Sequence, residues 1–349
     1  MPTPRGLAIP LAWPDKTAYG DEKWMRWLKR FGIVKNLNFK VGHAAILLID
    51  RQSGEVAYFD FGRYVAPRGY GRARSKVFDP RLELYTLAKF SDSGLLSNLE
   101  EILIELTAKE EYTHGGGKLL LSLAEHIDFK KASAYASALV EQGPIPYGAL
   151  AAGNNSCSRY VAQTLVAGLE AGDPRRRRIY YPESLKASPT SNVVNATNEK
   201  VIYCYEHGKL EEWPMNRVSS LRFQWRLLQD NLSHKKSILL AKDDLPILLS
   251  EPKRPLELSA SAQWLGGIGE GMWFQLEQDD YNKAHYWMSA FNQLGTRIYR
   301  ASVYCMDRAF DITKSFRISM KMSGAYFTVE QGQKTFVLQR LIEQEQQIY

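Results

Sequence analysis

Asn154-Asn155-Ser156-Cys157-Ser158-Arg159-Tyr160-Val161 changes in mid-stretch from a polar loop to one face of a helix. Apolar side chains recur at Val161, Ala162, Leu165, Val166 and Leu169, the period of an amphipathic helix. Gly172 and Pro174 follow where such a helix stops. Asn155 or Ser156 can cap its start, because either side chain accepts a hydrogen bond from a first-turn N–H. Cys157 therefore falls in or beside the first turn, where partial positive charge favours a thiolate. A free cysteine is often only a small buried hydrophobe. Here polar neighbours on both sides set it apart from an apolar face. It becomes a nucleophile only with a base beside it.

A candidate base lies upstream. Val41-Gly42-His43-Ala44-Ala45-Ile46-Leu47-Leu48-Ile49-Asp50 reads as a strand buried on both faces, at the centre of a sheet. Arg51 to Gly54 reads as a turn, and Glu55 to Gly62 as the return strand of a hairpin. With the turn centred between Gln52 and Ser53, His43 lies opposite Gly62. Asp60 then projects on the face of His43, one diagonal step away. A slip of one residue would bury the acid among apolar groups, so this register is the cheaper one. Tyr58 and Tyr64 share the same parity and are reserve candidates for the orienting role; Arg63 is a cation that could hold Asp60 instead. A thiol, a base to take its proton and an acid to orient the base make up a cysteine-nucleophile site.

GHAAILLID, a polar residue on the next strand and NNSCSRYVAQTL far downstream resemble the circularly permuted branch of the papain-like NlpC superfamily. That branch contains YiiX-type bacterial hydrolases, with lecithin:retinol acyltransferase a more distant relative. The chain also looks like an uncharacterised family common in gut Bacteroidetes. The resemblance covers roughly residues 10 to 190 and rests on histidine preceding cysteine in the chain. It implies an α+β fold, an antiparallel sheet with packed helices. It also implies Cys157 as nucleophile, His43 as base and Asp60 as the third group. Asn155, Ser156, Tyr58 and Tyr64 are substrate or oxyanion candidates. Water as acyl acceptor makes an amidase, peptidase or thioesterase. An amine or alcohol makes an acyltransferase, and a catalytically silent binding protein is the other alternative. The substrate is a small-molecule, peptide or lipid acyl compound; no cofactor or metal is expected.

Composition agrees with such a chain. Its 349 residues, 45% hydrophobic and 24% charged, suffice for two domains. No apolar run reaches the ~18 residues of a membrane span. The proline-broken N-terminus makes a poor secretory signal, and Cys157, Cys204 and Cys305 suit neither a disulfide framework nor a zinc site. A reducing, cytoplasmic setting is expected. The net charge of +7 is dispersed apart from Arg175 to Arg178, which reads as a solvated loop or a patch that helps an anionic partner dock; nucleic acid is an unlikely partner. Oligomeric state is not readable.

The remaining elements follow from periodicity. The first is a helix over Asp21 to Phe31, with Trp24, Trp27 and Leu28 on one face. Ser75 to Phe78, Leu82 to Phe90 and Lys118 to Glu125 read as strands. Helices follow over Ser97 to Leu106, with Ser97 as cap, over Asp128 to Gln142 and over Val218 to Leu232. His114-Gly115-Gly116-Gly117 reads as a turn, and Lys200 to Trp213 as a hairpin. Beyond a connection at 236–255, short β runs predict a small, mostly antiparallel β domain over 256–349, with no sign of catalysis in it. The hydrolase domain is assigned to 1–235.

Overall fold

A computed structural model of the chain describes residues 5–20, 27, 29–32, 36–148, 153–232 and 249–341. The helix expected over 21–31 lies mostly outside these residues, as does most of the 236–255 connection. The first element described is strand β1 (Arg5–Trp13), which the sequence reading missed because Pro10 interrupts it. Proline lacks the N–H that a central strand needs on both sides. Here β1 changes neighbours at that point. β2 (Ala18–Tyr19) and β3 (Asn38–Phe39) form a separate pair. There follow β4 (His43–Ile49), β5 (Val56–Gly62), β6 (Tyr70–Arg74), β7 (Leu119–Leu121), β8 (Ala124–Asp128), β9 (Ile145–Pro146), β10 (Val201–Glu206) and β11 (Lys209–Pro214). One edge of β1 pairs with β4 from Leu7 to Trp13; on the other, β7 ends opposite Leu11 and β8 begins opposite Ala8. Pro10 sits in the gap.

These strands make an antiparallel sheet ordered β11-β10-β7-β1-β4-β5-β6-β9, with β8 also on β1. Its two faces are covered by different helices. On one face α1 (Leu99–Ala108) buries Ile102, Leu103 and Leu106 against Leu7, Ile9, Leu47 and Val56. The short α2 (Glu110–Thr113) follows. On the other face, α3 (Phe129–Gln142) and α4 (Cys157–Gly168) bury Ala132, Ala136, Val161 and Leu165 against Ala8, Ile46, Phe59 and Phe61. Asp128 caps α3 by accepting a hydrogen bond from Lys131 N. Ser97 does not cap α1. Asn98 takes that position, and its amide instead fastens the neighbouring chain at Leu87 and Lys89.

Two other expectations fail for physical reasons. Ser75–Phe78 and Leu82–Phe90 form no strands except for a bridge at Phe90. Asp79 accepts a hydrogen bond from Arg81 N and nucleates a 3-10 turn at Pro80–Leu82. The Arg175–Arg178 run is not a solvated loop but part of α5 (Pro174–Tyr180), and α6 (Pro189–Ala196) follows it. Arg176 donates to Val166 O and Leu169 O at the end of α4. Arg175 and Arg178 donate to Ala196 O and Thr197 O at the end of α6. These are the carbonyls that a helix leaves without partners. α7 (Arg217–Leu232) agrees with expectation.

The second sheet holds β12 (Gln263–Leu265), β13 (Met272–Gln278), β14 (His285–Phe291), β15 (Arg297–Cys305), β16 (Arg317–Ser319), β17 (Tyr326–Gln331) and β18 (Lys334–Arg340). All its pairings are antiparallel, in the order β12-β13-β14-β15-β18-β17-β16. Arg72 of the first sheet is 1% exposed and donates to Val65 O, Met320 O and Met322 O, with its guanidinium over Phe78. Arg72→Ala strands these buried acceptors and should cost about 3 kcal/mol or more in urea unfolding. We expect the transition to broaden as the two sheets lose their clamp; an unchanged midpoint and slope would remove that role from Arg72.

Candidate active site

β1 and β4 pair so that Trp13 lies opposite His43, and the two rings stack at 5.7 Å and 16°. Trp13 is wholly buried, and a Cβ on Gly115 would stand 2.6 Å from its ring. The glycines after His114 thus do more than turn the chain: Gly115 admits the indole that backs His43. β4 and β5 pair with Ala45 opposite Asp60 and Ile46 opposite Phe59, which is the register read from the turn.

Asp60 is fully buried, contrary to the reason given for that register; a cation on the next strand makes the burial tolerable. That cation is Arg74, directly across β6, and not Arg63. Its Nε and Nη2 lie 3.0 and 2.6 Å from the two Asp60 oxygens. Tyr58 Oη donates to Asp60 Oδ2 at 3.0 Å, and His43 Nε2 stands 3.6 Å from that oxygen. Burial alone would raise the Asp60 pKa, but Arg74 and then His43 hold it well below the usual carboxylate range.

Ser156 caps α4 by accepting from Arg159 N at 3.3 Å, which leaves half-buried Cys157 as the first helical residue. The thiol lies within hydrogen-bonding reach of the His43 ring and of Ala44 N–H, and 3.8 Å from Ser158 Oγ. His43 Nε2 has no partner within strict hydrogen-bond distance, so the ring nitrogen facing the sulfur is Nδ1. Burial opposes charge on both groups. For His43 it is outweighed by Asp60 and Cys157, which lift the pKa to about 9. For Cys157 it is outweighed by His43, with help from Ser158 and Ala44, and the thiol pKa falls. Both shifts run in the direction that favours thiolate with imidazolium.

The other expected residues are placed as follows. Tyr64 meets His43 edge-on at 6.5 Å. Asn155 is buried; its Oδ1 accepts from Ser156 N and its Nδ2 donates to Gln163, so its side chain serves the loop. Tyr147, which the sequence reading left in the approach loop, bridges to Asn155 and carries Arg63 over its ring at 4.9 Å. Three further residues were missed: Arg74, His114 and Glu270. Arg72 and Arg74 alternate in Gly71-Arg72-Ala73-Arg74, a strand pattern that signals two same-face cations. Glu270 lies amid glycines in Gly266-Gly267-Ile268-Gly269-Glu270-Gly271, a signal of close backbone approach. Among the described residues no three His, Cys, Asp or Glu side chains gather in a way that could hold a metal ion. No described helix is long and apolar enough to cross a membrane. A depression of about 760 Å³ lined by Pro174, Arg177, Arg178, Tyr181 and Arg217 shares no residue with this site.

Residues 8–173 match a protein family described as type VI secretion system effector TseH-like, and residues 262–341 match one described as a DUF6695 C-terminal domain. The first span holds His43, Asp60, Arg74, His114 and Cys157; the second holds Glu270. Among solved structures, the crystal structure of the type VI secretion system effector TseH is similar at 17% identity and a TM-score of 0.40, covering 60% of this chain and 98% of that one. No curated protein matches the chain.

The pairing of Cys157 with His43 sets two limbs in a pH profile. Iodoacetamide should alkylate Cys157 with a midpoint well below the ~8.5 of an ordinary thiol, and His43→Ala should return it there. Iodoacetate, whose carboxylate the imidazolium attracts, should lose rate around pH 9 as His43 gives up its proton. That fall should be absent from the Ala variant. A midpoint near 8.5 in the unaltered protein would show that no ion pair forms.

Proposed function

We propose that the chain is a cysteine hydrolase of the circularly permuted papain-like type, acting on an amide or ester through an acyl-enzyme at Cys157. The observation that carries this is the Cys157–His43 pair with the Asp60 carboxylate on the far side of the ring. The thiolate adds to the carbonyl carbon. The resulting oxyanion is met by the backbone N–H of Cys157, which as the first helical residue has no intrahelical acceptor. Collapse of this intermediate breaks the bond to the leaving amine or alcohol, which takes the proton from His43 Nδ1. Neutral His43 then accepts a proton from water as the water oxygen adds to the thioester. Expulsion of the sulfur restores the thiolate and imidazolium. Asp60 holds the ring and stabilises its charged form, while the stacked Trp13 face adds a cation–π contribution.

The order of histidine, acid and cysteine along the chain supports the permuted arrangement. The match of residues 8–173 to type VI secretion effectors supports the second part of the proposal, that the chain works as an effector of that system. Incubation with p-nitrophenyl esters followed by mass spectrometry should show an acyl group on Cys157 and none in Cys157→Ala. Asp60→Asn should slow acylation by about 100-fold or more. It should also lower stability by about 3 kcal/mol, because Arg74 loses its buried anion. Acylation that persists in Cys157→Ala would place the nucleophile elsewhere.

A further inference from the structure

We infer that Glu270, carried by the second sheet, is a positioning residue of the site, holding Arg74 and His114 so that Asp60 and Tyr64 present correctly to His43. The inference rests on the hydrolase reading above and gives residues 262–341 a share in it. Glu270 Oε2 lies 3.3 Å from Arg74 Nη1 and 3.1 Å from His114 Nε2. Its Oε1 lies 2.8 Å from Arg81 Nη2, and Arg81 is in turn held by Asp79. His114 has a left-handed backbone (φ 54°) and stacks on Tyr64 at 4.5 Å, while Arg74 lies over the other side of the network, 3.6 Å from the Tyr64 ring centre. Tyr64 and Asp60 are the groups that touch His43 from this side.

The backbone fixes the acid in place. Val65 N donates to Glu270 O and Gly269 N donates to Arg63 O, so residues 269–270 add a short parallel bridge beside Tyr64. A Cβ at Gly267 would stand 2.7 Å from Val65 N, and one at Gly269 2.9 Å from the Tyr64 ring. Only glycine permits this approach. The bridge is therefore built to deliver one carboxylate to the rear of the site. Without Glu270, Arg74 keeps Asp60, Asp79 at 3.6 Å and Tyr112 O, and its charge falls more heavily on Asp60. Less of the Asp60 charge then supports His43.

Charge substitution in the full chain separates this role from simple packing. The charged and titratable groups facing His43 are Cys157, Asp60 and Tyr64, with Arg74 and His114 behind them. Glu270→Gln keeps the shape and removes one negative charge. It should move the alkaline limb of iodoacetate alkylation down by about half to one pH unit, the size expected for one charge lost at short range in a protein interior. Arg81→Gln removes a positive charge that touches Glu270 and not Asp60, and should move the same limb up. Opposite shifts uphold the inference. If Glu270→Gln does not fold, the upward shift in Arg81→Gln upholds it and an unmoved limb overturns it. An unmoved limb in a folded Glu270→Gln also overturns it, while the unaltered protein still shows the ion pair. An ordinary thiol in the unaltered protein overturns the hydrolase reading, and this inference with it.

Discussion

The buried pair of Asp60 and Arg74 is the interaction on which the rest of the site depends. A carboxylate with no exposed surface in a sheet core is tolerated only if a cation meets it with good geometry. Arg74 does so with two donors from the adjacent strand. A guanidinium used up entirely by Asp60 would leave little charge for the histidine. Glu270 and Asp79 share Arg74 from the other side, and the Asp60 Oδ2 side remains open to Tyr58 and His43. Acids and bases alternate from Glu270 through Arg74 and Asp60 to His43. Each member lowers the cost of burying the next.

Cys157 and the His43 ring reach one another across the sheet. His43 and Asp60 share the face covered by α1, with Leu47 and Tyr58. Cys157 packs with the cluster of the opposite face, beside Ala44. The two meet because Cys157 is the first residue of its helix and His43 the first of its strand. One turn further along α4, Tyr160 and Val161 are buried with Phe59 and Phe61. Trp13 stacks on one face of the imidazole, and Gly115 leaves room for its indole.

Composition misled where tertiary partners change the meaning of a residue type. Four successive arginines suggest a solvated surface. Three of them instead satisfy the free carbonyls at two helix ends, where a guanidinium can serve several acceptors at once. A proline inside an apolar run suggests a broken segment. In β1 it falls where the neighbouring strand changes, so the missing N–H is not needed. Aromatics alternating in the last third of the chain suggest ordinary sheet packing, and that is what they form. The acid there that meets Arg74, Glu270, lies between β12 and β13, in a glycine-rich turn with no periodicity to mark it.

Local features of the sequence determined the local parts of the site. Capping chemistry and period placed Cys157 at a helix start. The continuous apolar run placed His43 on a central strand, and turn length set the register that puts Asp60 on its face. Each of these depends on residues within a few positions of one another, so pattern alone carries them. Only the tertiary structure decided which cation holds Asp60, which ring backs His43, and that the second sheet reaches the first through Glu270. Those partners come from strands and loops far apart in the chain. Their selection is an outcome of packing geometry and of the electrostatic cost of burial, neither of which leaves a periodic signal in sequence.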